Sequence, residues 1–175
     1  PELGIPIPTL NVAGVAQYDP AQLVVEASWQ RWGWTVAVGV TAKQWSAYPG
    51  PTEATAPTSA PPPAPEFGGT LVPRVGVEHR WSLPAEADVS VRGGYFFEPT
   101  PAPRAVPARQ LYDNDRHAVT LGLGAGITGA GSRFGLDAWA QVHILPPRNG
   151  LDAAGDPTSH RGSLWHLGVS ASVTF

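Results

Sequence analysis

Seven stretches of this chain put apolar side chains at every second position, and each runs for about 10–12 residues. His117–Thr128 is the clearest. Val119, Leu121, Leu123, Ala125 and Ile127 fall on one side, and Ala118, Thr120, Gly122, Gly124, Gly126 and Thr128 on the other. A period of two belongs to a β-strand with unlike faces. The other stretches are Thr9–Tyr18, Gln22–Trp32, Thr70–Trp81, Ala87–Glu98, Phe134–Leu145 and Leu164–Phe175. Thr35–Thr41 also alternates, and reads as the second strand continuing past Gly33. There is no sustained helical period, so the expected fold class is all-β. Soluble strands usually run roughly 5–6 residues. A tilted strand that crosses a membrane needs roughly 9–11.

The connections sharpen that reading. YDPAQ, SLPAEAD and ITGAGSR are short turn sequences, whereas Lys43–Gly69, Pro99–Arg116 and Pro146–Ser163 are long. Short turns at one end and long loops at the other are the layout of a transmembrane β-barrel. The strand charges favour one face. Glu26, Arg74, Glu78 and Arg92 alternate with the apolar set, with Arg31 and His79 as the exceptions. In the last strand, Trp165 and Phe175 end one apolar stripe, where the aromatic girdles of such a barrel belong. A soluble β-sandwich also alternates, but nothing in it imposes short–long loop order.

Composition agrees. Charged residues are 14% of the 175, and formal net charge is -3. A typical soluble domain carries roughly 25% charged residues. The 11 Lys and Arg are scattered, which disfavours a nucleic-acid surface. No cysteine is present, so thiolate metal sites and disulfides are excluded. Barrels of single bacterial chains have even strand numbers. A seven-stranded wall also leaves two edges, so an N-terminal half or a second chain is expected to complete it. The opening PELGIPIP lacks an initiator and reads as a processed product or fragment.

Several stretches, in order, resemble the C-terminal half of the outer-membrane long-chain fatty acid and hydrocarbon transporters. They are LGIPIPTLNVAGVAQYDPAQLVVEASWQRWG, VPRVGVEHRWSLPAEADVSVRGGYFFEPTPAP and DNDRHAVTLGLGAGI. EPTPAP followed by DNDRH is the most specific part. His117 departs from the family pattern, which usually has an aromatic residue there. The resemblance implies that residues 1–175 are the second half of a 14-stranded barrel in the bacterial outer membrane. It implies passive uptake of a hydrophobic ligand through the lumen, with no cofactor and no catalytic residue. The expected partners are the lipid bilayer, the ligand and the rest of the barrel. The Pro- and Ala-rich segment 43–69 is then an extracellular loop.

The candidate ligand residues are the inward-facing Phe96, Trp139 and Leu145, apolar where a water-filled pore would be polar, with Arg74 and Arg92 as possible holders of a carboxylate. The same charges can instead form a ladder that stiffens the wall. Asp113, Asn114, Asp115 and Arg116 stand where a long loop enters a strand. They can shape a ligand entrance or bind a divalent cation, or they can cap turns. The histidines have no metal-site spacing, so no metal is expected. Two other functions stay open: a structural or partner-binding barrel in an envelope complex, and an outer-membrane hydrolase with a serine near His79.

Overall fold

The computed structural model describes residues 18–48, 50, 65–107, 109 and 111–175. They form one antiparallel sheet of seven strands in sequential order. The strands are β1 (Gln22–Arg31), β2 (Trp34–Lys43), β3 (Thr70–Leu83), β4 (Ala87–Glu98), β5 (Arg116–Gly129), β6 (Ser132–Leu151) and β7 (Pro157–Thr174). A single 3-10 turn follows β2 at Trp45–Ala47. Among the described residues no helix is long and apolar enough to cross a membrane. The sheet is not closed into a barrel: β1 and β7 are its two edges.

The expected second strand is in fact two. Trp32 and Gly33 have φ of +51° and +79°, and Arg31 pairs with Trp34 across them. Positive φ at both central residues is the two-residue turn whose twist matches a β-hairpin. Ala130 and Gly131 repeat it between β5 and β6, with φ of +52° and +78°. At Gly33 a side chain is also barred sterically, because an added Cβ would lie 2.5 Å from the Arg80 carbonyl oxygen. So Thr35–Thr41 lies in its own strand, β2. The expected strand Thr9–Tyr18 lies outside the described residues except for Tyr18, which is not in a strand.

The turn order changes with it. The tight turns at residues 32–33, 84–86 and 130–131 share one end of the sheet with the C-terminus, since Thr174 pairs with Arg133. Asp19–Ala21, read as a turn of that end, lies at the other: Gln22 pairs with Lys43 and the Gln44 amide donates to the Ala21 carbonyl. Nor is Pro146–Ser163 a loop. β6 and β7 continue through it as a projecting hairpin, with a register shift between Leu145 and Arg148 where the two prolines cannot donate to the ladder.

The sheet has unlike faces and, among the described residues, no second layer. Buried apolar side chains among the described residues are few and small: Val72, Ala102, Ala105 and Ala118. The large ones are exposed. Leu121 is 64% exposed, Val169 73% and Leu167 78%. The paired register puts Leu121 and Leu167 in one row: Trp29, Val36, Val77, Gly93, Leu121, Ala140, Leu167. A domain normally buries such a face against another layer. In a closed sandwich Leu121 and Leu167 would be covered.

Aromatic side chains border the apolar face. Trp34, Trp81, Phe134 and Phe175 lie toward the tight turns, and Tyr95, His117 and Trp165 toward the long loops. From Trp165 to Phe175 is ten steps (175 − 165). At ~3.3 Å per residue and a tilt of roughly 40°, that spans about 25 Å, the height of a barrel's apolar band.

Candidate functional site

The opposite face collects most of the charges, because their positions share the parity of the small residues; Arg31, at the end of β1, keeps the parity of the apolar face. Glu26 lies on β1, Lys43 on β2, Arg74, Glu78 and Arg80 on β3, Asp88, Arg92 and Glu98 on β4, Arg116 on β5, and Arg133 and Asp137 on β6. They pair across strands. Arg92 bridges Glu78 on β3 (3.3 Å) and Asp137 on β6 (2.8 Å), and donates to the Ser90 hydroxyl (3.1 Å). Arg80 also reaches Glu78 at 3.1 Å. Arg133 pairs with Asp88 at 2.5 Å, toward the tight turns. Toward the long loops, Glu98 takes both Lys43 (2.5 Å) and Arg116. Arg74 donates to Thr41 (2.6 Å) and stands 3.6 Å from Glu26. The expected pairs Glu26–Arg74 and Glu78–Arg92 are therefore present, in separate groups: one runs from β1 to β3 and the other from β3 to β6.

Small residues make room for these long side chains. An added Cβ at Gly122 would meet Arg92 Cγ at 2.7 Å, and one at Gly168 would meet the Trp139 ring at 2.4 Å. Trp139 thus lies flat on Gly168 of the neighbouring strand, covering backbone that glycine leaves bare.

Between two of the charged rows the face is nearly empty. The paired positions Ser28, Ala37, Gly76, Gly94 and Thr120 form a low strip across five strands. It is the floor of an open trough of about 790 Å³. Glu26, Arg74 and Phe96 bound it on the long-loop side, and Glu78, Arg92 and Trp139 on the tight-turn side. A volume of this size is within the roughly 300–1,000 Å³ of ordinary small-molecule sites. Phe96 is fixed by the His143 ring at 5.8 Å and by the Arg116 guanidinium at 5.9 Å.

Four of the five expected ligand residues thus meet: Phe96, Trp139, Arg74 and Arg92 line one trough. Leu145 does not. It sits at the β6 register shift, outside the trough lining. Glu26 and Gln141 also line it. Their inward parity on β1 and β6 was the available signal.

The loop motif has a different part. Thr100, from EPTPAP, donates its amide to Asp115 (2.9 Å) and its hydroxyl to Asp113 (2.5 Å). Asn114, buried, donates to the Pro146 carbonyl (2.7 Å) and the His160 carbonyl (2.9 Å). Arg148 donates to the Asp113 carbonyl (2.5 Å) and to that of Ala102. Asn114 and the Asp113 carbonyl therefore clasp the β4–β5 loop onto the projecting hairpin, while the Asp113 and Asp115 side chains and Arg116 tie the two arms of the loop together at Thr100 and Glu98, which links EPTPAP to DNDRH. Among the described residues no group of three or more His, Asp or Glu is placed to hold a metal.

His79 lies on the apolar face between Trp34 and Trp81, its ring 4.3 Å from each. At the base of the Pro-rich loop, Tyr48 stacks on Phe67 at 5.2 Å. Of the Pro- and Ala-rich segment 43–69, Lys43 ends β2, Trp45–Ala47 form the 3-10 turn, and residues 49 and 51–64 lie outside the described residues.

No family model, curated protein or solved structure matches this chain.

Proposed function

We propose that the chain is the C-terminal part of a bacterial outer-membrane β-barrel that takes up hydrophobic molecules passively, long-chain fatty acids or hydrocarbons among them. The observation that carries this reading is the pairing of an exposed apolar face about 25 Å tall, edged by aromatics, with a polar face whose trough is bounded by Phe96 and Trp139. Lipid is the solvent that suits the first face, and a lumen is the space that suits the second. In lipid the free edges of β1 and β7 must be paired, since each unsatisfied backbone group there costs several kcal/mol. The rest of the wall is therefore part of the proposal. So is the resemblance to the transporter family, which stands on the motifs alone. An extracellular position for the long loops follows from the same orientation.

Gly76→Trp tests the path. An added Cβ at Gly76 has its nearest neighbour at 3.8 Å, so the indole can enter the trough without moving the backbone. With the full-length protein in liposomes, ligand entry should fall about tenfold, a barrier of about 1.4 kcal/mol. Unchanged entry in a folded variant removes the trough from the path.

A further inference from the structure

Resting on that transport reading, the balance of charge in the trough narrows the ligand class. Four ionised side chains line it, Glu26, Glu78, Arg74 and Arg92, two of each sign. Arg92 is taken up: Glu78, Asp137 and Ser90 hold it from three directions. A ligand carboxylate at Arg92 would compete with Asp137, whose cation it is, and would stand beside Glu78, which Arg80 also reaches.

Arg74 is the other cation, and its situation differs. Among the described residues its single anionic partner is Glu26, at 3.6 Å, beyond direct hydrogen-bond length, its other terminal nitrogen donates to Thr41, and both the Arg74 and Glu26 side chains are about half exposed. Arg74 therefore keeps donors open to the trough. A carboxylate that reached them would arrive within a few ångströms of the Glu26 carboxylate, and like charges that close oppose each other. An uncharged hydroxyl or a bare hydrocarbon meets no such opposition. It gains the same apolar contact with Phe96 and Trp139 over the uncharged floor of Ser28, Ala37, Gly76 and Gly94.

We propose that Glu26 sets the ligand's charge: the trough selects uncharged hydrophobic molecules, hydrocarbons and long-chain alcohols, over the fatty carboxylate of the same length. Glu26 acts on specificity beside Arg74, its charge opposing a second carboxylate at the open donors.

The test uses the full-length protein in lipid nanodiscs, with a radiolabelled long-chain alcohol and the fatty acid of equal length as probes. Alkaline pH keeps the free carboxylate ionised, and binding to empty nanodiscs is subtracted. The wild type should favour the alcohol by about tenfold, equivalent to about 1.4 kcal/mol. Glu26→Gln, which keeps the size and removes the charge, should raise the carboxylate-to-alcohol ratio by about tenfold. Adding Arg74→Gln should abolish that rise, which a merely structural role for Glu26 would not produce. A wild type that binds the carboxylate as well as the alcohol overturns the proposal, as does an unchanged ratio in folded Glu26→Gln. If Glu26→Gln fails to fold, the wild-type comparison still decides. If neither probe binds the wild type above empty nanodiscs, the transport reading itself fails.

Discussion

The two faces of the sheet come from the same strands, one residue apart, yet they invert the usual rule of burial. On β5, Leu121 and Leu123 stand more than half exposed, while Ala118, on the other face of the same strand, is fully buried. On β4, Val91 is exposed, and its neighbour Arg92 is locked to Glu78 and Asp137. A water-soluble sheet would hide the first kind of residue and leave the second to solvent. The face without protein partners is the oily one, and the partnered face is polar.

Charge reversal across that one-residue step should give the largest effect. Leu121→Arg puts a cation in the middle of the apolar face, and in a bilayer it should cost about 2–4 kcal/mol. Thr120→Arg, on the other face, should cost under about 1 kcal/mol, since half-exposed cations already line it. Denaturant unfolding from phospholipid vesicles measures both. Equal costs would break the contrast. Next comes the rim, where the loop clasp replaces the two-faced pattern. Asn114→Ala leaves two half-buried carbonyls without their donor, at about 1–3 kcal/mol, and protease nicking of the 99–115 loop should accelerate. The smallest effect belongs to the ladder. Arg92 is two-fifths exposed, so Arg92→Ala should cost about 1 kcal/mol once solvent screening is counted. Its loss should also become smaller in high salt.

Much of the architecture can be read from the chain because side-chain period is a strong signal. β5 alternates without a break, and so it is legible. β2 was misread because its turn is made by Trp32. A large aromatic residue at positive φ is uncommon and does not announce a turn as Asn or Asp does. The same error turned β1 end for end and put Asp19–Ala21 with the wrong turns. Pro146–Pro147 looked like the end of a strand, whereas β6 accommodates them in a register shift and runs on. That shift also explains Leu145. Parity places it inward, but the distance along the strand, which parity does not carry, takes it out of the trough. Phe96, Trp139, Arg74 and Arg92 came together because they share both parity and level. The clasp was visible only as two motifs in sequence, since contacts such as Arg148 to Ala102 depend on how a loop folds back.

The central claim is the orientation of the two faces, and spin labels at adjacent positions test it most directly. The 175 residues contain no cysteine, so Leu121→Cys and Thr120→Cys each introduce one labelling site within them. In the full-length protein in liposomes, a label at 121 should collide mainly with oxygen dissolved in lipid, and one at 120 mainly with a water-soluble nickel complex. A label at 121 relaxed chiefly by the nickel complex, with the label at 120 relaxed chiefly by oxygen, would contradict the account.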